Sequence, residues 1–400
     1  MVPTTVLVTV SGRDRPGITA ALFAALAAHD VDVLDVEQVV IRDRLILSVL
    51  LAQRGGDIVS LRSSVTTLVA ALELEGDVEQ VSSDGDTVGA GRRSHVIVIG
   101  RPLRPGVIGE VSHRITELGA NIESVTQLAS EPASSLQLTV RTLDHEALRA
   151  VLVQAADDLG VDIAVEPAGL RRRATRLVVM DVDSTLIRDE GIDVLADRAG
   201  VGAAVAGITE RAMAGELDFT ASLRERVALL EGLPLSEVEA VRDQLRLTPG
   251  ARTFVRTLKR LGYSVGVVSG GFTLFTDRFV SELGLYFAAA NELEVVDGKL
   301  TGRVLGDVVD RAGKASALRR FAGQFNVPLE QTVAIGDGAN DIDMLKTAGL
   351  GIAFNAKAAL RAEADTSVTL PYLDTVLFIL GITKDEIAEA LAEASNEPSA

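Results

Sequence analysis

Asp181 and Asp183 stand two residues apart in the run LVVMDVDSTLIRDE. Leu177 to Met180 read as a short buried strand. Side chains alternate along a strand, so the two carboxylates share a face where it ends. Carboxylates this close repel, and without compensation one of them takes up a proton. A hard divalent cation relieves the repulsion. Mg²⁺ suits such a place, because it prefers oxygen ligands, keeps several waters and is commonly bound together with a phosphate. Asp-x-Asp is also frequent in ordinary loops, so the pair takes its meaning from its company.

Three further motifs supply that company. Ser269-Gly270-Gly271 offers a hydroxyl and unshielded N–H groups, the makings of a phosphate cradle, although Ser-Gly-Gly is more often a plain turn. Lys314 opens a helical stretch and can bring a point positive charge to a phosphate, although a lone lysine is usually a surface residue. The run GDGAND places Asp337, Asn340 and Asp341 together, suited to a metal's remaining ligand and to the groups that orient it.

The elements that must position these residues alternate. LVVMDVD, SVGVVSGG, TVAIGDGAND and GLGIAF read as strands, with amphipathic helices such as ARTFVRTLKRLG and ASALRRFAGQFN between them. That order predicts a mostly parallel sheet with helices on both faces, whose site lies beyond the carboxyl ends of the strands. Every polar motif falls at such an end or at a helix start. Between Ile192 and Leu247 a helix-rich insertion interrupts the pattern, with Leu223, Val227 and Leu230 at helical spacing. LEVVDGKLTGRV reads as a hairpin turning at Asp297-Gly298 and serving as scaffold. The tail beyond Ile382 reads as helical, then acidic and frayed.

The first half contains a repeat. VLVTVSGRDRPGITAALFAAL begins at Val6, and VIVIGRPLRPGVIGEVSHRI begins at Val96. Arg15-Pro16-Gly17 recurs as Arg104-Pro105-Gly106, and the same offset sets Val36 on Val125 and Gln38 on Gln127. Each copy reads as βαββαβ, a ferredoxin-like unit. Gly17 and Gly106 lie at helix starts, where free N–H groups suit a carboxylate; a glycine there equally serves a tight turn alone. The second copy has Leu103 where the first has Asp14. GLRRRATR, Gly169 to Arg176, reads as a solvated basic connector.

Composition sets the outer limits. The chain has 400 residues, is 47% apolar and carries a net charge of −17. Two to four domains are expected at that length. Cysteine is absent, which removes disulfides, thiolate metal sites and cysteine nucleophiles, and four histidines leave little for soft metals. The acidic balance argues against nucleic-acid binding, and it requires a strongly local positive charge if the substrate is an anion. No stretch approaches a membrane span, and residues 1–11 run directly into an alternating strand pattern, so no membrane partner and a cytoplasmic location are expected.

Taken in order, DVDST, SGG, the lysine and GDGAND resemble the four motifs of the haloacid dehalogenase-like phosphatase superfamily, over about residues 176 to 380. Within it, Glu190, MAGELDFTASLRERV and VVSGGF resemble the phosphoserine phosphatase family. The two repeats, over about residues 4 to 167, resemble the ACT domain, a small amino-acid-binding regulatory module. These resemblances imply an ACT domain at residues 1–90, a second at 91–168, and a Rossmann-like phosphatase domain at 175–400 with a helical cap at about 190–247.

They imply Mg²⁺-dependent hydrolysis of phosphoserine, the last step of serine biosynthesis. Asp181 would be the nucleophile that becomes an aspartyl-phosphate, and Asp183 the general acid and base. Asp181, Asp337 and the Asp183 carbonyl would ligate Mg²⁺, with Asp341 behind them. Ser269, Gly270, Lys314 and Asn340 would hold the phosphate, which resolves the problem of an anionic substrate on an acidic protein. Glu190 would meet the substrate ammonium, Arg226 its carboxylate, and Met213 and Phe219 would wall the pocket. Without the resemblance, Arg224 and Arg226 read as a solvated helix face. L-serine or another amino acid would regulate the enzyme at Gly17 or Gly106, and a homodimer is expected. A phosphatase for another small phosphorylated metabolite, or for phosphoproteins, is the alternative.

Overall fold

The computed structural model describes residues 4–54, 57–81, 91–169 and 177–395. Apart from Gly169, the connector expected at Gly169–Arg176 lies outside the described residues, as do the last five residues of the tail. The chain divides into two compact units, residues 1–90 and 91–400.

The first unit is a four-stranded antiparallel sheet with two helices. Its strands are β1 (Thr4–Arg13), β2 (Val31–Ile41), β3 (Arg44–Gln53) and β4 (Glu75–Val81), in the order β2-β3-β1-β4. Strict alternation on β1 sends Val6, Val8 and Val10 inward. They meet Leu45, Leu47, Val49 and Leu51 of β3 and the apolar stripes Ile18, Leu22, Leu26 and Leu61, Val65, Val69 of helices Ile18–Leu26 and Ile58–Ala71. The edge strand β2 is exposed along most of its length, Val33, Val36, Val39 and Ile41 included.

The second unit opens with the same βαββαβ order: β5 (Arg92–Gly100), helix Pro105–Glu117, β6 (Asn121–Ala129), β7 (Ser134–Thr142), helix His145–Leu159 and β8 (Asp162–Pro167). The sheet runs β6-β7-β5-β8. Here both faces are covered. Val96 and Val98 pack on the module's own helices, while Ile97, Ile99, Leu128, Ala129 and Ala164 join the core of the segment that follows. Polar contacts reinforce this junction. Buried Asp162 accepts from the Thr369 backbone N–H with both oxygens, each at 3.0 Å, and from the Thr369 hydroxyl at 2.9 Å. Thr366 donates its hydroxyl to the Ile163 carbonyl at 3.1 Å, and Arg149 pairs with Asp365 at 2.7 Å.

The rest of the second unit is a seven-stranded sheet flanked by helices. Its strands are β9 (Leu177–Met180), β10 (Ser264–Phe272), β11 (Phe287–Val296), β12 (Lys299–Leu305), β13 (Thr332–Gly336), β14 (Leu350–Phe354) and β15 (Thr366–Val368), in the order β12-β11-β10-β9-β13-β14-β15. All pairs are parallel except β11 with β12, a hairpin turning at Asp297-Gly298, both at positive φ. The continuous apolar run of β9 is buried on both faces, as a central parallel strand requires. Strand order reverses at β9, which pairs with β10 on one side and β13 on the other, so a crevice opens beyond its carboxyl end.

Between β9 and β10 the chain inserts helices Gly191–Ala199, Gly202–Met213, Phe219–Ala228 and Leu235–Gln244. Ile187 and Leu247 form an antiparallel bridge that closes the base of this insertion. The β11–β12 hairpin holds its far side. Gly232 and Leu235 donate N–H groups to Leu300 and Gly298 carbonyls, each at 2.8 Å, and Leu300 donates back to Leu233 at 2.9 Å. Leu223, Val227 and Leu230 are buried, as their spacing predicts.

Candidate active site

The central strand ends where the chemistry begins. The Asp181 N–H donates to the Ile335 carbonyl of β13 at 2.9 Å, the last rung of the pairing. The chain then leaves the sheet in a tight turn over Val182–Leu186, with Ser184 at φ 55, a left-handed backbone uncommon outside glycine. The turn carries Asp183 back to the same cleft. Asp183 Oδ1 accepts the Gly191 N–H at 2.8 Å, and its Oδ2 lies 3.3 Å from the Ser269 hydroxyl.

Lys314, in helix Arg311–Gln324, is fully buried, and its Nζ sits 2.7 Å from both Asp181 Oδ2 and Asp341 Oδ1. The other Asp341 oxygen accepts the N–H groups of Asp337 and Gly338 at 3.2 and 3.1 Å. Asp341 is thus fully occupied in fixing the lysine and the GDGAND turn. Gly336 makes room for it, since a Cβ there would lie 2.4 Å from Asp341 Cγ. The Asp337 carboxylate accepts only from the Thr185 hydroxyl, at 3.2 Å, among the described residues.

Carboxylate oxygens of Asp181, Asp337 and Asp341 lie within 4.8 Å of one another. Three acids around one lysine leave negative charge in excess, and the titration behaviour follows. Burial raises the Asp181 pKa well above its ordinary value, with Asp341 adding to it and Lys314 opposing. Burial, then Asp341 and Glu190, push Asp337 up to about 7. Burial raises Asp183 against the Gly191 hydrogen bond. Burial alone would lower Lys314, but Asp181 and Asp341 outweigh it and hold the ammonium charged. An all-oxygen, charge-deficient cluster of this kind fits a hard divalent cation.

The Ser-Gly-Gly loop stands out of the sheet because the β10–β11 register jumps between Val268 and Phe272. The Gly271 N–H donates to Ser269 Oγ at 2.8 Å. A side chain on either glycine would displace a neighbour in the site. A Cβ on Gly270 would lie 2.8 Å from Phe219 Cζ, and one on Gly271 would lie 2.7 Å from Asp183 Oδ2. Phe219 therefore roofs the loop from the insertion.

Glu190 caps helix Gly191–Ala199 and accepts the Ser184 hydroxyl at 2.7 Å. It is open to solvent on one side, yet desolvation, and after it the charge of Asp183, raises its pKa. Arg226 is half-buried, with its Nε 3.4 Å from the Ser222 carbonyl. Burial lowers its pKa, while Asp193, Glu190 and Asp183 act against this from the same cleft. Arg224, one turn-face away, is exposed. Asn340 sits half-buried in the turn Ala339–Asp341. The Met213 side chain lies outside the described residues. A cleft of about 640 Å³ opens beside Ser184 and Asp337.

The two repeat glycines differ from each other. Gly17 has φ 98 and caps helix Ile18–Leu26. Gly106 lies inside helix Pro105–Glu117, whose cap is Arg104 and whose first position is Pro105. A turn requirement therefore accounts for Gly17 and not for Gly106, because proline at the first helical position sets the second turn. Sequence reasoning missed Thr185, although it lies within the DVDST run, and Asn291, the buried amide of β11.

The family model for haloacid dehalogenase-like hydrolases matches residues 178–346, and two ACT domain models match residues 4–79 and 93–166. Fold and site thus define a haloacid dehalogenase-like hydrolase preceded by two ACT domains. The phosphoserine phosphatase of Streptomyces coelicolor is 55% identical over 395 residues, covering 97% of this chain and 95% of the relative. Phosphoserine phosphatase SerB2 of Mycobacterium tuberculosis is 51% identical over 389 residues, covering 96% and 95%. The crystal structure of a probable phosphoserine phosphatase from Vibrio cholerae, in unliganded form, shares 36% identity at a TM-score of 0.57, covering 75% of this chain and 88% of that one. The chain belongs to the phosphoserine phosphatase family. Among the described residues, no helix is long and apolar enough to cross a membrane.

Proposed function

We propose that the chain hydrolyses O-phospho-L-serine to L-serine and phosphate, the closing step of serine biosynthesis, in the cytoplasm. One observation carries the substrate assignment: the charge of Asp183 bears on both Glu190 and Arg226, and that of Glu190 on Arg226, so two groups of opposite charge stand near the acid-base carboxylate. A zwitterionic amino acid needs both poles matched, and a guanidinium fork suits a carboxylate. Phe219, with Met213, completes an apolar wall. The helical insertion, at about residues 190–247 of a phosphatase domain spanning 175–400, acts as a cap that excludes water. The ACT domains occupy residues 1–90 and 91–168.

In the first step a carboxylate oxygen of Asp181 attacks phosphorus and the bond from phosphorus to the serine oxygen breaks. Asp183 gives the departing oxygen its proton through Oδ2, the oxygen not tied to Gly191. In the second step Asp183 takes a proton from water, whose oxygen displaces Asp181 from phosphorus. Ser269, the Gly270 N–H, Lys314 and Asn340 hold the phosphoryl oxygens, with Asp341 aiming Lys314. Asp181, Asp337 and the Asp183 carbonyl would hold Mg²⁺. When bound, the ion offsets the repulsion between the Asp181 carboxylate and the anionic phosphoryl group.

L-serine, or another amino acid, regulates the enzyme through the helix starts at Gly17 and Gly106, where free N–H groups suit a carboxylate. The exposed apolar residues of edge strand β2 support a homodimer, which the mass of the chain in solution tests. The deciding experiment is phosphate release from a panel of phosphorylated amino acids, sugars and phosphopeptides with and without Mg²⁺. Preference for phosphoserine is expected; equal turnover of phosphorylated sugars or peptides would overturn the substrate assignment.

A further inference from the structure

We infer that Asn291 is a positioning residue that sets the geometry of the phosphate-gripping loop. The inference rests on the reading of Ser269, Gly270 and Lys314 as the phosphoryl-holding groups. Asn291 is 1% exposed on β11 and pairs in register with Phe272 at the end of β10. Five residues of β10, from Val268 to Phe272, face only three of β11, from Ala289 to Asn291. The intervening loop bulges, and the Gly270 carbonyl is left without a strand partner. The Asn291 side chain supplies one: its Nδ2 donates to Gly270 O at 2.8 Å. A buried carbonyl stranded without a partner would be costly, so the amide answers a defined need of the bulge.

The same amide reaches the other side of the site. Its Oδ1 accepts the Val309 N–H at 2.7 Å. Val309 precedes Asp310, which caps the Lys314 helix by accepting the Gly313 N–H at 2.8 Å, and whose carbonyl accepts the Lys314 N–H at 2.8 Å. One side chain therefore ties the loop bearing Ser269 and Gly270 to the segment that launches Lys314. The peptide unit between Gly270 and Gly271 is clamped at both ends, its oxygen by Asn291 and its N–H by Ser269 Oγ. With the Gly271 N–H donated to it, the Ser269 hydroxyl keeps its own hydrogen for Asp183 Oδ2, 3.3 Å away. Rotation of that peptide unit would swing the hydroxyl away and misplace the neighbouring Gly270 N–H. Among the described residues, no other side chain bonds to the Gly270 carbonyl.

Asn291→Asp tests this. The carboxylate still accepts from Val309 but cannot donate to Gly270, and it sets negative charge against a carbonyl oxygen. We expect kcat for phosphoserine to fall about tenfold to hundredfold, the scale of a misplaced catalytic group. Competitive inhibition by inorganic phosphate should weaken as well, while the dependence of activity on Mg²⁺ concentration should stay unchanged. Ser269→Ala should lower kcat too, and the double variant should lose less than the product of the two single effects, because both act through one peptide unit. Asn291→Ala, which removes both hydrogen bonds and adds no charge, serves as the second variant if the aspartate fails to fold. Additive effects, or unchanged kcat and phosphate inhibition in a folded Asn291 variant, would overturn the positioning role. An unaffected Ser269→Ala enzyme would instead overturn the assignment of the loop itself.

Discussion

The Lys314 ammonium bridges the buried carboxylates of Asp181 and Asp341, 2.7 Å from each. Three charged groups in one dry place are stable only as a set. Removing the cation leaves two uncompensated carboxylates, and broken buried ion pairs of this kind cost about 3–5 kcal/mol. Lys314→Met should therefore lose roughly that stability by urea denaturation at neutral pH, along with its activity. Adding Asp341→Asn should recover part of the stability and none of the turnover. A Lys314→Met protein as stable as the parent would refute the account of the triad.

Asp181 and Asp183 are held differently, and that difference suits the separate tasks proposed for them. Asp181 is anchored at the strand tip by Lys314, whereas Asp183 bonds to Gly191 and reaches Ser269. Asp181→Asn should abolish covalent trapping of phosphate from radiolabelled substrate. Asp183→Asn should still be labelled but release phosphate slowly, about 10²- to 10⁴-fold below the parent, the usual contribution of a general acid-base. Labelling of Asp181→Asn at the normal rate would remove it as the nucleophile.

The role proposed for Arg226 is specificity rather than chemistry. Its guanidinium, half-buried among Asp193, Glu190 and Asp183, is available for one more carboxylate. Arg226→Ala should lower kcat/KM for phosphoserine roughly 10- to 100-fold, the scale of a charge-assisted hydrogen bond, mostly through KM. Turnover of p-nitrophenyl phosphate, which lacks the carboxylate, should hold. Equal losses on both substrates would sink the assignment.

The parts of this site written in contiguous residues were legible, and those assembled from distant ones were not. Asp181, Asp183, Ser269 and Asp337 announce themselves because each follows a recognisable apolar strand. The clasp of Asp341 on Lys314 spans 27 residues of chain and depends on how two helices settle. Asn291 has no local signature, since its purpose comes from a bulge in a neighbouring strand. The fold was similarly uneven. Both repeats read correctly as βαββαβ, yet their opposite fates were written in β1 and β5 and went unread. VLVTV alternates and has one buried face, whereas Val96, Ile97, Val98 and Ile99 form a continuous apolar run buried on both. A continuous run means a strand covered on two sides, and the second cover is the phosphatase core.

That two-sided module also contains a histidine with a predictable titration. His145 begins helix His145–Leu159, half-buried, with Nδ1 2.9 Å from the hydroxyl of fully buried Ser94. Burial lowers its pKa below 6.5; Arg149 works in the same direction, while Glu146 and Asp144 oppose it. The start of a helix is also a poor place for a positive charge. The folded protein thus binds this proton less readily than the unfolded chain does. The stability His145 contributes is fully present above the unfolded value of 6.5 and is lost as pH falls through the folded one. His145→Gln keeps a hydrogen-bonding partner for Ser94 and cannot titrate. Its stability relative to the parent, measured by urea denaturation at intervals from about pH 7.5 down to 5, should improve steadily as the pH drops below about 6.5. A constant difference across that range would mean that His145 has the same proton affinity folded and unfolded, against its burial beside Ser94.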